Sequence, residues 1–140
     1  MNAAGSTAGI EFAFEKIELR ANTLNAHRLI HHAQKVGTDG IAVTKLIEGL
    51  FAAQFLEGRH LGDRAVLAEV AAESGMARDA VQRYLESDED ASEVRAAAGE
   101  MHRMGISGVP FFIFNNKLAA SGAQPPEALL KAMREAMQPA

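Results

Sequence analysis

Apolar residues recur every three or four positions through the first two thirds of the chain, the spacing of a helix with one buried face. The pattern predicts five helices, most of them opened by a capping or acidic residue or closed by a glycine. We expect them to begin near Thr23, Asp39, Asp63, Ala77 and Asp88. The segment after Asp39 has the strongest helical pattern.

Patterns typical of strands lie towards the two ends of the chain. Ile10–Phe14 alternates apolar residues with charged or small ones, which predicts a short edge strand or an extended lead-in. Val109–Phe114 is dense in β-branched and aromatic residues and is followed by Asn115 and Asn116, which tolerate a positive φ, and then by Leu118–Ser121. This order predicts a β-hairpin.

A last helix is predicted after Pro125 and Pro126, because proline suits a first helical turn and apolar residues then recur at helical spacing. The chain has 140 residues, 48% of them hydrophobic, which fits one compact domain with its own core. We therefore expect a mostly helical α/β fold in which residues 1–21 supply a lead-in strand. Residues 22–104 are predicted to form the helices, and residues 105–140 the hairpin and last helix.

The composition argues against several partners. The net charge of -4 offers no attraction to a nucleic acid or to an anionic membrane. No apolar run is long enough to span a bilayer, and Met1–Gly9 lacks the pattern of a signal peptide, so we expect a cytoplasmic protein. The sequence has no cysteine, which excludes disulfides, thiolate metal sites and cysteine nucleophiles within these residues.

Six short motifs stand in a fixed order along the chain. Together they strongly resemble the FrnE-like branch of the DsbA family, over residues 10–137. The motifs are Asn22-Thr23, Ala26-His27-Arg28-Leu29-Ile30, Leu50-Phe51, Glu57-Gly58-Arg59, Gly105-Ile106-Ser107-Gly108-Val109-Pro110-Phe111-Phe112 and Ser121-Gly122-Ala123-Gln124.

The resemblance implies a partial thioredoxin-like fold with an all-helical DsbA-type insertion. Residues 22–104 would be mostly that insertion, and residues 105–140 would be the C-terminal half of the thioredoxin-like unit. It also implies thiol–disulfide oxidoreduction or isomerisation of a peptide or thiol substrate. In family members an earlier strand–helix–strand segment carries a Cys-x-x-Cys pair, and this sequence starts after that segment, so we expect the chain to be redox-inert alone. An expression fragment, a misassigned start codon and a natural truncated paralogue remain open as explanations.

The candidate site contains no catalytic residue and six substrate-binding residues. By resemblance, Val109-Pro110 has a cis peptide bond facing the cysteine pair, and its backbone would pair with an extended peptide. The alternative is an ordinary trans proline at the start of an edge strand. The resemblance also places Asn22, Thr23 and His27 near the active-site groove.

Gln124 is the sixth candidate, in the turn of Ser121–Gln124 that enters the last helix. Exposed N–H groups there could hold a carboxylate such as that of glutathione, the one cofactor considered. The related kappa-class glutathione transferases and 2-hydroxychromene-2-carboxylate isomerases, the alternative enzyme class, have a Ser-Asp or Asn-Asp pair followed by Arg at this turn. This chain departs from that pattern, and a turn with a helix start is the plainer interpretation.

Two further features bear on partners. His27 and His31 stand four residues apart, but no Asp or Glu at matching spacing completes a metal site, so none is predicted. The hairpin phenylalanines are predicted to pack in a core. An uncovered hairpin edge would favour a homodimer, or a non-enzymatic module that binds a peptide there.

Overall fold

The computed structural model describes residues 2–138 and is mostly helical, with one small sheet. The described part contains seven α-helices, a short 3-10 helix at Phe14–Lys16 and two strands. The helices are α1 (Asn2–Thr7), α2 (Leu24–Lys35), α3 (Gly40–Phe55), α4 (Arg64–Glu73), α5 (Arg78–Glu86), α6 (Ala91–Arg103) and α7 (Pro126–Ala136). The strands are β1 (Phe111–Phe114) and β2 (Leu118–Ser121).

The predicted helices and hairpin are confirmed, and local chemistry explains where the helices begin. Asp39 and Asp63 accept hydrogen bonds from the backbone N–H groups of Ile41 and Ala65, which caps α3 and α4. Gly75 has a φ of 95° where the chain leaves α4, a conformation that glycine adopts without steric cost. The α1 helix was not predicted.

The lead-in strand predicted at Ile10–Phe14 is wrong. Residues 10–13 have no regular structure and lead into the 3-10 helix. The alternation has another cause: Phe12 and Phe14 both lie against Phe55, with ring centroids 6.2 and 6.1 Å away, while Ala13 donates its N–H to the Phe55 carbonyl. The segment therefore packs on the end of α3, and within residues 2–21 no strand forms.

Gly58 lies beside this lead-in segment. Its φ is 73°, and a Cβ at this position would come within 2.8 Å of the Lys16 carbonyl oxygen. Only glycine allows the two stretches of backbone to approach this closely.

Contacts divide the chain into two compact units, Met1–Ala96 and Ala97–Ala140. In the first, α2 to α5 pack around a core whose largest side chains have no more than a trace of exposed surface: Leu29, Leu46, Leu67, Val70 and Leu85. Complete burial of a leucine contributes roughly 1.5–3 kcal/mol. Two apolar residues beside this core are exposed. Val36 follows the last turn of α2, and Phe51 lies one residue, or about 100°, round the helix from the buried Leu50.

The second unit is built on the antiparallel pairing of β1 with β2, with Phe112 opposite Ala120. Asn115 and Asn116 take φ values of 51° and 53° in the turn, as the sequence predicts. The Asn115 side chain donates to the Ala136 carbonyl at 3.1 Å, which fixes the turn against the end of α7. None of the helices described for residues 2–138 combines the length and apolarity that crossing a bilayer demands.

Candidate functional site

Val109 and Pro110 lie immediately before β1, in the second unit. Their peptide bond is cis, as the resemblance implies, and Val109 is 90% exposed. The Gly122 N–H donates to the Pro110 carbonyl at 2.8 Å, so the turn entering α7 lies beside Pro110. The structure thus brings three of the predicted substrate-binding residues, Val109, Pro110 and Gln124, into one end of the hairpin.

The outer edge of β1 has unpaired backbone groups. Hydrogen-bonded and non-hydrogen-bonded pairs alternate along an antiparallel ladder. Because Pro110 and Gly122 form a hydrogen-bonded pair, Phe111 and Ile113 belong to the other kind and direct their N–H and C=O groups away from β2. Within residues 2–138 those groups have no backbone partner. The edge is therefore available to a further strand.

An open groove of about 230 Å³ lies on one face of the hairpin. Phe111 and Ile113 line it, and Ile113 is 50% exposed. The rings of Phe112 and Phe114 point to the opposite face, where they stack with an interplanar angle of 1°. The groove offers apolar contact to a side chain carried by an added strand.

Gln124 does not point an open donor at a ligand. Its side-chain amide donates to the Ser121 carbonyl at 2.8 Å and closes its own turn. The first turn of α7 contains Pro126, which has no N–H, and Glu127, whose charge repels an anion. Pro126 and Glu127 therefore make the start of α7 unfavourable for a carboxylate.

The other three predicted residues, Asn22, Thr23 and His27, lie together in the first unit at the start of α2. The Asn22 side chain accepts a hydrogen bond from the Leu24 N–H at 3.0 Å. It therefore caps α2 from the residue before the N-cap position. Thr23 makes no capping bond through its side chain, and His27 is exposed. Their part in substrate binding stays a prediction.

A buried polar network around Arg28 was missed by the sequence reasoning. Arg28 is only 2% exposed and lies 5.0 Å from the centroid of the Tyr84 ring. Its guanidinium donates to the carbonyl oxygens of Tyr84, Ser87 and Glu89. One side chain on α2 thus organises the segment between α5 and α6.

Asp90 is the anionic centre of the same network. Its carboxylate accepts hydrogen bonds from the Lys35 ammonium at 2.7 Å and from the Tyr84 hydroxyl at 3.1 Å. The hydrogen bond between Lys35 and Asp90 lowers the pKa of the Asp90 carboxyl group and raises the pKa of the Lys35 ammonium group. Burial, with the Asp90 carboxylate nearby, raises the pKa of Tyr84.

One feature of the sequence could have indicated this network: Arg28 directly precedes Leu29, which belongs to the apolar face of α2. The sequence predicted only that a helix begins near Asp88, and it gave no sign that Asp90 is buried with a φ of 58°. No local pattern connects positions about sixty residues apart.

Comparisons with known proteins agree on one family. A family model described as a DSBA-like thioredoxin domain matches residues 1–134. The crystal structure of a probable DsbA oxidoreductase from Streptomyces coelicolor is similar, with 28% sequence identity and a TM-score of 0.82. That similarity covers 96% of this chain and 56% of the other, so this chain spans little more than half of its solved relative. No curated protein matches the chain.

Proposed function

The chain belongs to the DsbA-like thioredoxin domain family, and from that premise we propose that it is the peptide-holding part of a FrnE-type thiol–disulfide oxidoreductase or isomerase. The observation that carries the proposal is the unpaired outer edge of β1, which continues from the exposed Val109. An extended peptide would pair with this edge and place a side chain in the groove.

The thiol of the reaction comes from outside these 140 residues. Thiol–disulfide exchange proceeds by attack of a thiolate on a disulfide sulfur, and the sequence contains no cysteine. The chain by itself therefore binds but does not exchange disulfides. A Cys-x-x-Cys segment of the kind found in the family would supply the chemistry.

A glutathione-dependent reaction is the second candidate, since glutathione would bring its own thiol. It has less support, because the Gln124 side chain is hydrogen-bonded to Ser121 and the charge of Glu127, in the first turn of α7, repels a carboxylate. We also propose a cytoplasmic location, consistent with a sequence that needs no oxidising compartment.

Titration with a disordered, cysteine-free peptide of alternating apolar and polar residues tests the binding edge. We expect the backbone amide signals of Phe111 and Ile113 to shift in NMR spectra, because their N–H groups would gain a partner. Ile113→Pro removes one outward N–H and should weaken binding several-fold, since one backbone hydrogen bond contributes about 1 kcal/mol net.

Ala119→Pro is the matched control. Ala119 lies opposite Ile113 and directs its N–H to the other edge of the hairpin. The control should bind as the unmodified chain does, and circular dichroism would show whether both variants keep their structure. Equal weakening by the two prolines, or the absence of amide shifts, would contradict peptide pairing at β1.

A strand from a second copy of the chain would also pair with this edge, and we therefore propose that the chain forms a homodimer when no peptide is bound. Light scattering during the same titration separates the two occupants. A dimer that dissociates as peptide is added would show that copy and peptide compete for β1. A dimer that persists while the Ile113 signal shifts would mean that the copies meet elsewhere.

A further inference from the structure

Two histidines and two glutamates lie around Asp90 in the helical unit Met1–Ala96. His31 on α2, Asp90, and Glu93 in the first turn of α6 bring one ligand atom each within 4.8 Å of the other two. The His31 Nε2 atom and a Glu93 carboxylate oxygen are 3.2 Å apart. These residues have no part in the peptide-holding function proposed above.

We propose that His31, Asp90 and Glu93 form a site for a divalent metal ion of the zinc class. Tetrahedral zinc with bonds of roughly 2.0–2.2 Å places its ligand atoms about 3.3 Å from one another. The 3.2 Å between His31 and Glu93 already fits this geometry. The His31 and Glu93 side chains are 40% and 61% exposed, which leaves them room to turn towards an ion held by Asp90.

The donor set selects the class of ion. One imidazole nitrogen and two carboxylates suit zinc and its neighbours, whereas magnesium prefers oxygen ligands in an octahedral shell. Two carboxylates balance the charge of a divalent ion, and water can fill a fourth position.

The cluster already holds a cation. The Lys35 ammonium lies 2.7 Å from an Asp90 carboxylate oxygen, and its side chain is 50% exposed. A metal ion would displace this ammonium into solvent, so Lys35 competes with the metal and lowers its affinity.

A second group of potential ligands shares Asp90. His32 forms with Glu89 and Asp90 another group whose ligand atoms lie within 4.8 Å of one another. Its Nδ1 atom is buried and has no hydrogen-bond partner among residues 2–138. Asp90 thus belongs to both groups of histidine and carboxylate donors.

Calorimetric titration of the 140-residue chain with zinc tests the site. We expect one zinc ion per chain, and no heat with magnesium. His31→Gln and Glu93→Gln should each weaken binding at least about tenfold, the loss that follows even from altering an outer partner of a metal ligand. Lys35→Met should tighten binding, because it removes the competing cation.

His102→Gln is the matched control, since His102 is an exposed histidine of α6 outside the cluster. It should bind zinc as the unmodified chain does. Circular dichroism checks the fold of each variant, and Asp90 is left unchanged because its network supports the unit. Failure of the chain to bind zinc would overturn the proposal. So would His31 or Glu93 variants that bind zinc as tightly as the unmodified chain, or a Lys35→Met variant that binds it no more tightly.

Discussion

At the scale of single residues, Asp90 has the most demanding position in the first unit. It is 8% exposed and has a φ of 58°, a left-handed conformation that aspartate tolerates better than most residues. A buried carboxylate is costly unless its charge is paired and its oxygens accept hydrogen bonds. Lys35 and Tyr84 meet both needs, so these three side chains depend on one another.

The lowered pKa of Asp90 predicts how stability responds to acid. A carboxyl group whose folded pKa lies below its ordinary value of 3.8 stabilises the fold above that value. The contribution is lost as the pH falls through the lowered folded pKa. We therefore expect the free energy of unfolding to decrease below about pH 4.

Denaturant unfolding of Asp90→Asn over the acidic range measures this contribution. The variant should be less stable than the unmodified chain at pH 7 and lose less stability on acidification, because an amide does not titrate there. Asp79→Asn, at an exposed position with no ion pair within residues 2–138, should keep the original acid dependence. An unchanged acid dependence in Asp90→Asn would contradict the role given to this carboxylate.

At the scale of elements, the helices and hairpin could be predicted because their signals are local. Asp39 and Asp63 cap helices whose apolar stripes follow at once, and Asn115 and Asn116 permit the hairpin turn. Ile10–Phe14 misled because alternation alone does not reveal whether a partner strand exists. Its two phenylalanines, Phe12 and Phe14, instead pack against Phe55 on α3.

The capping chemistry gives a prediction at this scale. Asp63→Ala removes the bond to the Ala65 N–H and should lower the free energy of unfolding by about 1 kcal/mol. Thermal or denaturant unfolding of the purified chain measures the change.

Thr23→Ala is the comparison, because Thr23 holds the same position before α2 but makes no side-chain capping bond. Its effect should be markedly smaller. Equal losses in the two variants would show that helix propensity, rather than the Asp63 hydrogen bond, sets the start of α4.

At the scale of the whole molecule, the family and the cis Val109-Pro110 bond could be predicted from the sequence, and the polar clusters of the helical unit could not. Ordered motifs from Asn22 to Gln124 carried the resemblance, and the family model and the solved relative confirm the DsbA-like family. The Arg28–Asp90 network was hidden because it joins distant segments by hydrogen bonds. The cluster around His31 could not be predicted for the same reason, because Asp90 and Glu93 lie about sixty residues from His31 in the sequence.

Catalysed reduction of a protein disulfide by glutathione tests the central claim most directly. The purified 140-residue chain should leave the rate at its uncatalysed value at every concentration, because a polypeptide without cysteine has no thiolate to form the mixed disulfide. A rate that rises in proportion to the concentration of the chain would contradict the account.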